Sequence, residues 1–237
     1  MFGLFSGSIT KYDLVMYATR MLIIFLILPL HEFAHAWTAY KLGDDTASYQ
    51  GRMTLNPIAH IDPIGAILLL LVGYGWAKPV PIDPSRFNRK HSIRFGVAIT
   101  ALAGPVSNLI AALLGMVGLR IFECTAVYRD NLEAIYAMRD FTTPVIIYYL
   151  LYFFVEINIG LAVFNLIPIP PLDGSKVLGY WTSAKVDRWF QENAQLVRII
   201  FLVIVVTGIL SIPLDFISDL IYTLFRLITA WIPLLAG

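Results

Sequence analysis

The sequence predicts an all-α polytopic membrane protein, with about five transmembrane helices, a re-entrant hairpin and a small extended element beside the membrane. Three observations predict it. Hydrophobic residues make up 58% of the 237-residue chain and charged residues only 14%, with a mean hydropathy of +0.74, outside the usual balance of a soluble globular domain. The apolar residues gather into runs that approach or exceed the roughly 20 helical residues needed to cross a hydrocarbon core. The Lys and Arg residues collect in the loops at one end of those runs.

The first run extends from about Leu14 to Tyr40. It follows Lys11 as a secretory signal might follow a basic residue, but it continues into a polar, helix-compatible segment beyond Leu30 with no small-residue cleavage site, so a retained helix is expected. The second runs from about Ile93 to Phe122 and the third from about Pro144 to Leu166. A fourth, short run covers about Leu196 to Leu210. After a break at Ser211, Ile212 and Pro213, a fifth covers about Phe216 to Trp231. Between the first two lies Ile61 to Trp76, too short and too broken by Pro63, Gly65, Gly73 and Gly75 to span, which reads as the re-entrant hairpin.

Two segments read as extended: Ala47 to Leu55, with Gly51 inside, and Ala77 to Ile82, where Pro79 and Pro81 exclude helix and central strand. Irregular backbone at that depth needs protein cover or water, so a cavity is expected nearby. The whole of 1–237 reads as one membrane-embedded domain, with a core at about 14–182 and C-terminal helices at about 196–235. A net charge of +1 gives no basic surface for nucleic acid. The single cysteine, Cys124, offers no internal disulfide and no metal framework.

Eleven basic residues lie in the segments Lys41 to Arg94 and Lys176 to Arg198, against four on the opposite side, Lys11, Arg120, Arg129 and Arg139. Short-loop charge of this kind orients membrane proteins. The expectation is a cell-membrane protein with its N-terminus outside and the ends of the first and third helices at the cytoplasmic side.

The chemistry is concentrated at those two ends. His31-Glu32-Phe33-Ala34-His35 is an HExxH motif inside an apolar helix. Positions i and i+4 share a helix face, so both imidazoles can meet one Zn2+ at about 2.0 to 2.1 Å. Glu32 stands next to that face, where it can act as general base toward an activated water. Three ionisable residues in one span are costly enough, at roughly 2.5 to 3.5 kcal/mol each, to call for a function.

A catalytic zinc takes three protein ligands, and the best third candidate is Asp173, in Asn165-Leu166-Ile167-Pro168-Ile169-Pro170-Pro171-Leu172-Asp173-Gly174. Three prolines within four residues stop the third helix and stiffen the turn that presents the carboxylate. Taken alone, Asp-Gly after prolines is ordinary turn chemistry; beside a metal motif short of one ligand, it reads as that ligand.

HExxH in one transmembrane helix with NxxPxPPLDG in a later one resembles the site-2 protease family of intramembrane zinc metalloproteases. The stretches Gly51-Arg52-Met53-Thr54-Leu55-Asn56-Pro57 with His60-Ile61-Asp62-Pro63, Gly75-Trp76-Ala77-Lys78-Pro79-Val80-Pro81 and Ala103-Gly104-Pro105-Val106-Ser107-Asn108 are similar to its compact branch, so the resemblance covers about 14–182. It implies that His31, His35 and Asp173 bind one zinc per chain, that Glu32 is the base, and that the substrate is a membrane protein within the bilayer. Many relatives add a PDZ or CBS domain, for which this chain has no room.

Asn165 matches the family's asparagine and could donate to substrate backbone or a developing oxyanion; a helix-to-helix hydrogen bond is an equal reading. Asn108 reads as packing between helices, and Asn56 as an accessory position. His60 could line the cavity, assist the reaction, replace Asp173 as ligand, or bond backbone at a loop end. Glu156 reads as a protonated structural residue in the third span. Helical backbone hides its carbonyls, so a substrate must unwind, and an edge strand at Ala47 to Leu55 is expected to hold it extended. A metal transporter or scaffold without hydrolysis is the alternative; it needs the ligands but no base beside them.

Overall fold

The computed structural model describes residues 11–72, 75–137 and 142–235. Its first span is one continuous rod. Helix α1 (Lys11–Leu22) passes through a single π turn, Ile23–Ile27, into α2 (Leu28–Lys41). Pro29 explains the widened turn: it has no N–H for the Phe25 carbonyl, and its ring crowds that carbonyl. The Leu28 N–H correspondingly reaches back five residues, to the Ile23 carbonyl. The wide turn ends at Ile27, four residues before His31, and such insertions recur at functional sites.

The short helix α3 (Thr46–Tyr49) follows. It corrects the expectation of an extended segment at Ala47 to Leu55: the Asp44 carboxylate accepts from the Thr46 N–H at 3.0 Å and starts a helical turn, and Gly51, at φ +65°, reverses the chain after it. Strand addition at that segment therefore has no strand to add to. The hairpin consists of α4 (Pro63–Val72) and a return leg whose Ala77 forms an isolated antiparallel bridge with Ile61. That bridge is the one β pairing among the described residues.

The long helix α5 (Ile93–Glu123) is the centre of the molecule, packing against α2 and against α8 (Thr143–Asn165). Two small helices that the sequence reading did not anticipate, α6 (Ala126–Asp130) and α7 (Leu132–Ala137), lie between them. After α8 come α9 (Asp173–Leu178), packed on α5, then α10 (Ala184–Glu192), α11 (Ala194–Thr207), α12 (Ser211–Ile228) and α13 (Trp231–Leu235). The main core joins Ala112, Met116 and Leu119 of α5 to Val155, Ile159 and Val163 of α8 and to Phe225 of α12.

Among the described residues, four segments are long and apolar enough to cross a membrane: Tyr17–Lys41, Ile93–Glu123, Thr143–Asn165 and Ser211–Leu234. A fifth crossing exists only if α10 and α11, bent by 78° at their junction, count as one. The chain is thus a multi-pass membrane protein. The break before the last span falls at Gly208, whose φ of +68° ends α11, and not at Ser211 to Pro213. Pro213 lies in the first turn of α12, where a missing N–H costs nothing.

Candidate metal centre

The HExxH helix, the N-terminal half of α5 and the start of α9 meet at one point. His31 and His35 are buried on the same face of α2, with ring centroids 4.6 Å apart. Asp173, also buried, opens α9 after the proline-rich turn, at the helix end where backbone N–H dipoles favour a carboxylate. Its Oδ2 lies 3.2 Å from His31 Nε2 and 3.1 Å from His35 Nε2, and the two Nε2 atoms are 3.0 Å apart. The other carboxylate oxygen, Oδ1, accepts from Lys176 Nζ at 3.2 Å.

The protonation of these atoms follows from the backbone outward. The Phe154 carbonyl can only accept, so Asn158 presents its Nδ2 to it, at 2.8 Å. Asn158 Oδ1 then faces Asn108, which donates from Nδ2 at 2.8 Å. That leaves Asn108 Oδ1 toward His31 Nδ1, at 2.6 Å, so the His31 proton sits on Nδ1. On His35 the Thr100 carbonyl, 2.7 Å from Nδ1, fixes the same tautomer. In the neutral imidazoles, both Nε2 lone pairs and the Asp173 carboxylate therefore converge on one point. Three such acceptors at 3.0 to 3.2 Å repel unless a proton or a metal cation lies between them. Ligand atoms around tetrahedral zinc stand roughly 3.3 Å apart, so two imidazoles and a carboxylate in this triangle fit that ion.

Gly104 completes the cradle. A Cβ there would sit 2.5 Å from His35 Nε2 and 2.6 Å from His31 Nε2, on the ligand atoms themselves. Any side chain at this position would displace the imidazoles.

A profile of the family described as "Peptidase family M50" matches residues 19–207, a stretch that holds all three converging residues. The chain belongs to peptidase family M50. It is 37% identical over 196 residues to the Bacillus subtilis (strain 168) protein YwhC, covering 83% of this chain and 84% of that one. It is 27% identical over 190 residues to Rip2 of Mycolicibacterium smegmatis, covering 78% of this chain and 65% of the relative. With Rip2 of Mycobacterium tuberculosis (strain H37Rv) the identity is 26% over 208 residues, covering 84% and 70%. All three carry names of candidate zinc metalloproteases. No solved structure gives a significant match. Family membership makes the chain a membrane zinc metalloprotease, the class to which the ligand triangle is suited.

Around the triangle of this M50 chain, the structure distributes the remaining sequence candidates unevenly. Glu32 is half-buried one position round α2 from the ligand face, and its Oε2 accepts from the Val80 N–H at 2.9 Å. The return leg of the hairpin is thereby tied to the HExxH helix. Arg52, buried, holds the same leg from the other side by donating to the carbonyls of Lys78 and Pro79, at 2.6 and 3.2 Å. His60 is buried but donates from Nε2 to the Thr54 carbonyl at 2.7 Å, and Lys78 N–H bonds its backbone carbonyl at 2.8 Å. Asn56 caps the short 3-10 turn that follows it by accepting from Ile58 N–H. Asn165 donates to the Leu161 carbonyl of its own helix at 3.0 Å, and none of its hydrogen bonds reaches the triangle.

Asn108 is the residue whose assignment changes most. It does join helices, as expected of packing, yet the same amide also accepts from His31 Nδ1 and orients one imidazole of the triangle. Asn158, on α8, turns Asn108 the right way by accepting from its Nδ2. Replacing Asn108 by Leu keeps the volume and removes the acceptor, freeing the His31 tautomer. Zinc affinity should fall by about 10- to 100-fold, measured by chelator competition on the purified variant, and an unchanged affinity would reduce Asn108 to packing.

Proposed function

We propose that this M50 chain is an intramembrane endopeptidase that holds one zinc between His31, His35 and Asp173 and hydrolyses a peptide bond in or near the transmembrane segment of a membrane-protein substrate. The observation that carries this reading is the buried triangle of His31 Nε2, His35 Nε2 and Asp173 Oδ2 at 3.0 to 3.2 Å, built on an apolar spanning helix, with a carboxylate, Glu32, on the adjoining position. When bound, zinc supplies Lewis-acid chemistry, acidifying water and polarising a carbonyl. Glu32 accepts the proton of the attacking water and delivers it to the leaving amine. Asn108 and the Thr100 carbonyl keep the imidazole lone pairs directed inward, and burial of all three ligands limits competing water.

Metal removal tests the reaction. The full chain in liposomes, given a labelled single-span substrate, should lose cleavage on chelation and regain it when about one equivalent of zinc per chain is restored. Full activity in chelator, with zinc shown to be absent by elemental analysis, would overturn the proposal.

The active-site end is assigned to the cytoplasm, on the excess of Lys and Arg in the segments Lys41 to Arg94 and Lys176 to Arg198. Single cysteines introduced at Ser85 and Ser183 should resist a membrane-impermeant thiol reagent in intact cells and react after permeabilisation. Labelling of both in intact cells would invert the topology.

A further inference from the structure

At the end of the bundle opposite the metal centre, the last turn of α5 meets α6, the start of α8 and the end of α12 around a cavity of about 420 Å³. With helical rise at about 1.5 Å per residue, Arg120 lies roughly 24 Å along α5 from Gly104, so this cavity and the metal centre are separate. Its volume falls within the roughly 300 to 1,000 Å³ of small-ligand sites. Among the described residues, Arg120, Arg129 and Arg226 line it, against a single carboxylate, Glu123.

The hydrogen-bonding inventory is as unbalanced as the charge. Glu123 is already shared, taking one bond from Arg120 and one, at 3.3 Å, from Arg226. Each guanidinium brings five N–H donors, so one carboxylate leaves most of them unmatched. The Nε of Arg120 is buried without any acceptor. Arg129 is exposed and makes no ion pair among the described residues. The rings of Tyr128 and Tyr148, 5.6 Å apart, add phenolic groups to the wall. A site with surplus cationic donors and spare volume calls for an anion that accepts several hydrogen bonds at once. Three spans terminate beside it, Ile93–Glu123, Thr143–Asn165 and Ser211–Leu234, with Trp231 exposed on the last. That is the level at which lipid phosphates and interfacial tryptophans reside.

We propose that the Arg120–Arg129–Arg226 cavity binds a phosphate ester or free phosphate, its phosphoryl oxygens accepting from the three arginines. Native mass spectrometry of the full chain in detergent tests it with three probes: phosphatidylglycerol, diacylglycerol and inorganic phosphate. Phosphatidylglycerol should bind saturably at one copy per chain and diacylglycerol should not. Arg129→Ala and Arg226→Gln should each weaken phosphatidylglycerol binding by about tenfold, with zinc content equal to wild type as the measure of folding. Displacement of the lipid by millimolar inorganic phosphate would identify a soluble anion as an alternative source; retention of the lipid would assign the site to headgroups. Equal binding of phosphatidylglycerol and diacylglycerol, or unchanged binding by zinc-replete variants, would overturn the proposal. Should Arg226→Gln lose zinc, the exposed and unpaired Arg129 carries the test alone.

Discussion

Glu32→Gln should retain zinc at wild-type stoichiometry and lower the turnover of a membrane substrate by about 10²- to 10⁴-fold, the usual contribution of a positioned base. The change is nearly isosteric. Glutamine keeps an oxygen that can accept from the Val80 N–H, so the tie between the hairpin and α2 survives, and no ligand atom is touched, because Glu32 stands outside the His31, His35 and Asp173 cluster. What is lost is a carboxylate able to take a proton from water and return it to an amine. The deficit corresponds to about 2.7 to 5.5 kcal/mol of transition-state stabilisation. It should fall on kcat with little change in KM, since Glu32 in this role acts on the reacting atoms and not on substrate affinity. Cleavage at near wild-type rate by a zinc-replete variant would exclude Glu32 as the base. A chain that only stored or moved metal would be indifferent to this substitution, so the same measurement separates protease from transporter.

The convergence of His31, His35 and Asp173 was legible in the sequence because two of the three are local. The i, i+4 spacing of His31 and His35 is a statement about one helix, and helix geometry is the most predictable in proteins. Asp173 was legible through its chemistry, a proline-stiffened carboxylate beside a motif short of one ligand. The atoms around the ligands were not legible. The Asn108 bond to His31 joins residues 77 apart, and the Asn108 bond to Asn158 joins residues 50 apart; pairing across that distance is set by how α2, α5 and α8 pack. The Thr100 contribution is a backbone carbonyl, which any residue type at that position would supply. At Ala47 to Leu55 the reading failed because Asp44 starts a helical turn there, a competition between local cap and extended chain that composition does not resolve. Asn165 illustrates the limit differently: its family match is plain, yet its amide bonds its own helix, so a role at the oxyanion would require it to leave Leu161.

Asp173→Ala should lose zinc by more than the roughly 10- to 100-fold expected for an outer-shell change, whereas His60→Ala should keep it. Charge supports the first half. Two neutral imidazoles and one carboxylate leave a bound zinc with one net positive charge; three imidazoles would leave two, which is costlier to bury among lipids. Geometry supports both halves. Asp173 Oδ2 is 3.1 to 3.2 Å from both histidine Nε2 atoms, while His60 commits Nε2 to the Thr54 carbonyl and stands outside the cluster. Its Nδ1 is buried without a partner, so removing the ring should disturb the base of the hairpin, where Lys78 N–H bonds the His60 carbonyl, and leave the ligand triangle intact. In Asp173→Ala the two Nε2 lone pairs remain 3.0 Å apart with no anion to balance a cation, and Lys176, deprived of its partner, adds a repelling positive charge nearby. Elemental analysis of both purified, membrane-inserted variants decides between them: zinc retained by Asp173→Ala and lost by His60→Ala would transfer the third ligand to His60.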